Sequence, residues 1–270
     1  MTDQHAAFVG SIPTNYDRYL GPLFFHGYAD DLAARVPVSD GVRVLEVACG
    51  TGIVTERIAR RVHGRGSLEA TDLNEAMLAH AQRRLGPRPG VEWRQADGTR
   101  LPFEDGVFDV VVCQFGLMFF PDKAAGVAEA FRVLRPGGRY LLNVWDVIER
   151  NPVARIAHET ATSFFPVEPP GFYRVPFSLH DPAGVTRLLE QARFANIAWE
   201  YVEKTGTSPS ATEAATGIIE GNPIYDAIMQ RRPDALAEIE AAVAGKIAAE
   251  LGDHPVRCPM RALVFSARRP

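Results

Sequence analysis

From Val42 to Trp145 the chain switches repeatedly between short apolar runs and longer stretches in which apolar residues recur every third or fourth position. The runs read as strands buried on both faces, the stretches as amphipathic helices. "VRVLEVA" is a first strand, followed by a helix, "IVTERIARRVH", with Ile53, Val54, Ile58 and Val62 on one stripe. "GSLEATD" is a second strand ending in an acid. "NEAMLAHAQRRL" is a second helix, capped by Asn74, that turns Met77, Leu78, Ala81 and Leu85 inward. "VEWRQAD" is a third strand, again ending in an acid, and "FDVVVCQFG" a fourth. "KAAGVAEAFRVL" is a helix stopped at "RPGG", and "RYLLNVW" is a fifth strand.

The rhythm then breaks. Five prolines (Pro152, Pro166, Pro169, Pro170, Pro176) and several aromatics fall between residues 146 and 179. "DPAGVTRLLEQARF" reads as a helix, with Asp181 as cap and Pro182 at its first position. "NIAWEYVE" is a sixth strand, residues 208–251 are mostly helical, and "MRALVFSARRP" is a seventh strand. Strand–helix alternation predicts parallel strands with right-handed crossovers. The expected fold is α/β, a Rossmann-like doubly wound sheet of seven mostly parallel strands. A single domain is expected, with a helical N-terminal cap (1–41), a core (42–146) and helical insertions (147–180 and 203–256).

Composition narrows the setting. The 270 residues are 46% hydrophobic and carry a formal net charge of -4, with no long basic run. Nucleic acid and anionic membrane are therefore not expected as partners. Arg57, Arg60 and Arg61 read as cations in the last turns of a helix. Cys49, Cys113 and Cys258 lie far apart without metal-type spacing, which fits a reducing compartment. The N-terminus lacks a signal-length apolar core, and no run approaches the ~20 apolar residues of a membrane span. A cytoplasmic protein, monomeric or homodimeric, is expected.

"VLEVACGTG" is a strand running into a turn cleared of side chains. In open parallel sheets ligands bind beyond the carboxyl ends of the strands. Gly50 and Gly52 let the backbone approach such a ligand, and the next helix offers free N–H groups. A dinucleotide needs G-x-G-x-x-G, whereas Ala48, Gly50 and Ile53 occupy those positions, so a pyrophosphate cradle is not expected. Asp72 is placed to accept both hydroxyls of a ribose. Asp97, with Gly98, is placed to read an adenine edge, and Met77 to cover the ring. A phosphate-free adenosine joined to methionine fits this row of strand ends.

With "EATDLNEAMLAHA", "QADGTRLPFEDGVFDVVVCQFGLMFFPD" and "EAFRVLRPGGRYLLNVW", this stretch resembles the class I S-adenosylmethionine-dependent methyltransferases, in the group that includes the ubiquinone and menaquinone enzymes. The resemblance covers residues 42–146, and "YDRYLGPLFF" is similar to that group's N-terminal cap. Ala48 stands where many relatives have glycine. The resemblance implies that Glu46 orients the loop and the methionine ammonium, and that Ala48, Gly50 and Gly52 line the methionine part. It implies ribose binding by Asp72, adenine contacts from Leu73 and Met77, and adenine-edge recognition by Asp97 and Gly98. Gln114 would offer its carbonyl to the ammonium, Phe115 would lie near the methyl group, and Tyr16 would bond the methionine carboxylate.

The implied chemistry is transfer of the sulfonium methyl from S-adenosylmethionine to a small-molecule acceptor by in-line displacement, leaving S-adenosylhomocysteine. His26 is the candidate catalytic base, with His180 a second; no metal is expected. Phe24, Phe25, Phe115, Phe119, Phe120, Phe164, Phe165, Phe172 and Tyr173 supply candidates for an apolar acceptor pocket. Two alternatives remain open: a non-catalytic relative that binds the cofactor, and a nicotinamide-dependent oxidoreductase, against which Ile53 argues.

Overall fold

The computed structural model describes Phe8 and residues 10–270; residues 1–7 and 9 of the expected cap lie outside the described residues. The strands are β1 (Val42–Val47), β2 (Gly66–Asp72), β3 (Val91–Gln95), β4 (Phe108–Gln114), β5 (Leu134–Trp145), β6 (Ala195–Ser208) and β7 (Val256–Arg268). They form one seven-stranded sheet in the order β3-β2-β1-β4-β5-β7-β6. β1 to β5 are parallel, and β7 runs antiparallel between β5 and β6. The chain winds outward from β1 to β3 and returns to place β4 beside β1. The order therefore reverses between β1 and β4, where a crevice opens beyond the strand tips.

Local chemistry explains most elements. Val110, Val111, Val112 and Cys113 of β4 are all buried, as expected of a central strand covered on both faces. The helix α3 (Ile53–Val62) buries Ile53, Val54, Ile58, Ala59 and Val62 and leaves Arg60 and Arg61 outside, with Arg57 half-buried. Asn74 caps α4 (Glu75–Leu85) by accepting the Met77 N–H at 3.2 Å, and Asp122 caps α5 (Lys123–Val133) by accepting that of Ala125 at 2.9 Å. Asp181 caps α7 (Pro182–Gln191), with Pro182 in the first turn.

Three boundaries differ from the sequence expectation. β3 stops at Gln95, so Asp97 lies in the turn beyond it. β5 starts before "RPGG": Leu134 pairs with Phe108 and pairing resumes at Arg139 opposite Val110, the intervening residues forming an irregularity. Arg269 holds that turn, accepting at its carbonyl from Gly137 N (2.8 Å) and donating its N–H to Gly138 O (3.0 Å). β6 and β7 extend past the sheet as a two-stranded ribbon, pairing from Ala195–Arg268 to Ser208–Val256.

The irregular segments gather over the carboxyl ends of the strands. α6 (Pro152–Ser163) follows β5; α8 (Ala211–Glu220), α9 (Ile224–Arg231) and α10 (Leu236–Leu251) connect β6 to β7. The N-terminal part runs through α1 (Ile12–Asn15), a π-helical stretch Tyr16–Phe25 and α2 (His26–Arg35). Asn15 ties it to α8 by donating to Glu220 Oε2 at 2.9 Å. Among the described residues, no helix is long and apolar enough to cross a membrane.

Candidate active site

Two adjoining cavities lie at the sheet's carboxyl edge. The first is a cleft of about 800 Å³ over the tips of β1, β2 and β4 and the turn after β3. Its walls include Tyr16, Ala48, Gly50, Asp72, Leu73, Met77, Asp97, Gly98, Gln114 and Phe115. A recess at its β1 end brings Glu46 together with Tyr16, Ala48, Gly50 and Gln114. Of the expected cofactor residues only Gly52 lies off these walls. With φ +79° it caps α3, and a Cβ there would press on Leu85, Ala81 and Trp93 at 3.1–3.2 Å. Gly52 therefore serves the turn and the α3–α4 packing, not the cleft surface.

Asp72 ties the glycine loop to the second strand. Its Oδ2 accepts the Gly50 N–H and its Oδ1 that of Asn74, each at 2.8 Å. Burial raises its pKa, and backbone donors from Asn74, Gly50 and Leu73 oppose the rise. Asp97 is exposed and accepts from the Thr99 N–H (2.8 Å) and hydroxyl (2.7 Å). Between them Leu73 is 52% exposed, an apolar rim that a flat hydrophobic group would cover.

Glu46 is 2% exposed, and its Oε2 has no hydrogen-bond partner. Burial pushes its pKa up to about 8; Thr55 opposes this and Asp72 adds to it. A buried, unpaired acceptor in the wall of the recess fits a cationic ligand group. The Tyr16 phenol is pushed above its ordinary pKa by burial, then by Asp72 and Asp17, so it stays a neutral hydroxyl. Cys113 is buried and its thiol is pushed up to about 12, which leaves it without nucleophilic character.

The second cavity, about 490 Å³, is an aromatic chamber between the N-terminal helices, α6, α8 and the turn Phe172–Arg174. Phe24, Phe25, Phe115, Phe119, Phe172 and Tyr173 line it as expected from the sequence, whereas Phe164 and Phe165 do not and Phe120 lines the first cleft instead. Trp145 forms its flat wall, stacked on Phe115 at 3.7 Å and 4°. The two cavities share Phe8, Tyr16, Phe115 and Phe119. No His, Asp, Glu, Lys, Arg or Cys lines the chamber among the described residues.

His26, the candidate base, is not on these walls. Its ring lies over Gly21, with Nε2 2.9 Å from where a Gly21 Cβ would stand, and burial together with Arg57 lowers its pKa. It directly follows Phe25 in the chain, and of the two only Phe25 faces the chamber. His180 is also outside, its Nδ1 2.8 Å from Phe177 O.

Sequence reasoning missed Asn143. Phe115 adopts a left-handed φ of +49°, held by its N–H donating to Asn143 O and Oδ1, both at 3.1 Å, while Asn143 Nδ2 donates to Gln114 Oε1 at 3.4 Å. A polar residue inside the apolar run "LLNVW" was the available signal. Asn222, in the chamber wall, carried no comparable signal.

Residues 44–138 match the family model described as "Methyltransferase domain". The ubiquinone/menaquinone biosynthesis C-methyltransferase of Idiomarina loihiensis is 41% identical over 108 residues, 39% of this chain and 43% of that protein. The demethylmenaquinone methyltransferase of Lysinibacillus sphaericus is 34% identical over 131 residues, 47% of this chain and 56% of that protein. The chain thus spans about half the length of these curated relatives. Among solved structures, a Haemonchus contortus phosphoethanolamine N-methyltransferase in complex with S-adenosylhomocysteine superposes with a TM-score of 0.62 at 17% identity, over 96% of this chain and 57% of that one. The [4+2]-cyclase SpnF superposes with a TM-score of 0.57 at 22% identity, over 91% and 81%. The segment that matches the methyltransferase model carries the glycine loop and the parallel strands on which the first cleft stands. The similarity to these quinone C-methyltransferases extends over 39% and 47% of this chain.

Proposed function

We propose that this chain is an S-adenosylmethionine-dependent methyltransferase acting on a small, apolar, partly aromatic acceptor. The observation that carries the reading is the shared wall: an acid-lined cleft across the strand tips opens at Tyr16, Phe115 and Phe119 onto a chamber of aromatic rings. The unpaired Glu46 Oε2 supports the cofactor assignment, since a buried acceptor without a donor calls for a cation.

In this reading Asp72 keeps the glycine loop in place and accepts from the ribose with its free lone pairs. Leu73 and Met77 cover the adenine, and Asp97 and Gly98 read its edge. Glu46 and the Gln114 carbonyl hold the ammonium; Ala48 and Gly50 present backbone to the methionine chain; Tyr16 donates to its carboxylate. When bound, the cofactor supplies a sulfonium methyl, an electrophile needing no further activation. Phe115 and Trp145 exclude water and fix the acceptor's plane, so catalysis is by proximity and orientation. Among the described residues none lining the chamber serves as a general base at neutral pH, so the acceptor's proton leaves to solvent or is not carried at the attacking atom. Three free, buried cysteines fit a cytoplasmic setting.

Methyl transfer from labelled S-adenosylmethionine to a panel of small aromatic and lipophilic compounds tests the proposal, beside a thermal-shift comparison of S-adenosylhomocysteine with NAD. Stabilisation by S-adenosylhomocysteine alone, weakened by about 2–3 kcal/mol in Asp72→Ala, is expected. Stabilisation by NAD instead, or turnover confined to charged peptides or RNA, would overturn it. Cofactor binding with no transfer to any compound would favour the non-catalytic reading.

A further inference from the structure

Asn222 is 7% exposed and lines the aromatic chamber on the side away from the cofactor cleft, whose walls it does not reach. Its Nδ2 donates to Ile218 O at 3.1 Å, and the Tyr173 hydroxyl donates to the same carbonyl at 2.9 Å. A carbonyl oxygen only accepts, so these bonds fix the orientation of both groups. The amide nitrogen is turned towards Ile218, and the Tyr173 proton is committed there too. The Asn222 Oδ1 is left over: it accepts from no described residue, yet it is not sealed off inside the protein. Apart from Tyr16, Tyr173 and the Trp145 indole, the other lining side chains are hydrocarbon.

We infer that Asn222 is a specificity-determining residue that accepts a hydrogen bond from a donor, such as a phenolic hydroxyl, carried on the ring of a planar acceptor. The inference rests on the chamber being the acceptor site, as proposed above. The stacked Phe115–Trp145 wall favours a flat ring, and Oδ1 selects among flat rings those that bring a donor. A ring whose oxygen is capped both forgoes this bond and strips Oδ1 of water, so discrimination acts twice. Tyr173 has the complementary part: by sharing the Ile218 carbonyl it helps hold the α8 end, but its own proton is not available to the acceptor.

Calorimetry on the full chain with 2-naphthol and 2-methoxynaphthalene as probes, with and without saturating S-adenosylhomocysteine, tests this. The wild type is expected to bind 2-naphthol about tenfold more tightly than its methyl ether. Asn222→Leu should abolish that preference by weakening 2-naphthol alone, whereas Tyr173→Phe should keep it. Equal affinity of the wild type for the two probes overturns the inference, and so does a preference that survives in Asn222→Leu. The wild-type comparison decides even where the leucine variant fails to fold. Failure to bind S-adenosylhomocysteine would sink the cofactor reading separately, because the probe ratio is measured in its absence too.

Discussion

Glu46 is the residue whose replacement reports most directly on the recess. The carboxyl is buried at the end of β1, one oxygen is unpaired, and burial raises its pKa to about 8. At neutral pH the protein alone therefore holds Glu46 largely protonated. A ligand ammonium beside it favours the carboxylate, so binding S-adenosylhomocysteine should release a proton, and affinity should rise between pH 6 and 8 by up to about tenfold per unit. Stability has the opposite slope. The unfolded chain loses this proton in the ordinary glutamate range and the folded chain only near 8, so between those values the native state binds more protons. Its stability falls as pH rises through that window and levels off above it. The gap corresponds to on the order of 4–5 kcal/mol at full ionisation. Glu46→Gln removes both effects. Without ligand, the variant should melt higher than the wild type above pH 8, and the two should converge near pH 5. Its affinity for S-adenosylhomocysteine at pH 8 should drop by roughly 10- to 100-fold, the worth of one charge-assisted hydrogen bond. Titration calorimetry in two buffers of different ionisation enthalpy counts the released proton. No proton release, a pH-independent affinity and a glutamine variant that binds like the wild type would together refute the reasoning.

Gly206 of β6 lies against the N-terminal segment, where a Cβ would stand 1.7 Å from Leu23 O. Both partners are backbone and cannot give way. Gly206→Ala should cost about 3 kcal/mol or more in urea unfolding and loosen cofactor binding as Tyr16 shifts; wild-type stability would show that contact to be dispensable. His26→Ala should keep turnover within about threefold, since the ring faces away from both cavities; a loss of about a hundredfold would restore it as a base.

The cleft over the strand tips was legible because its parts are local. A strand running into glycines, acids at successive strand ends and a capped helix after Asp72 are short-range patterns. Parallel pairing then brings them together without further instruction. The aromatic chamber was legible only as composition. Phe164 and Phe165 are as aromatic as Phe172, yet the turn after α6 points them away from the chamber, and Trp145 enters it only because β5 ends beside β4. His26 sits next to Phe25 in sequence but starts the following α-helix, where the change from π- to α-helical winding at Phe25 fixes which way each ring faces.

By itself, then, the order of residues determined the alternation of strands and helices, the parallel core and the row of polar groups at its carboxyl edge. Each follows from propensity, capping and burial within a few turns of chain. Only the tertiary structure decided which distant segments close over that edge. The chamber joins Tyr16, Trp145, Tyr173 and Asn222, residues drawn from across the chain. Their encounter depends on how the N-terminal helices, α6 and α8 pack, and packing is a property of surfaces that no short window of sequence contains.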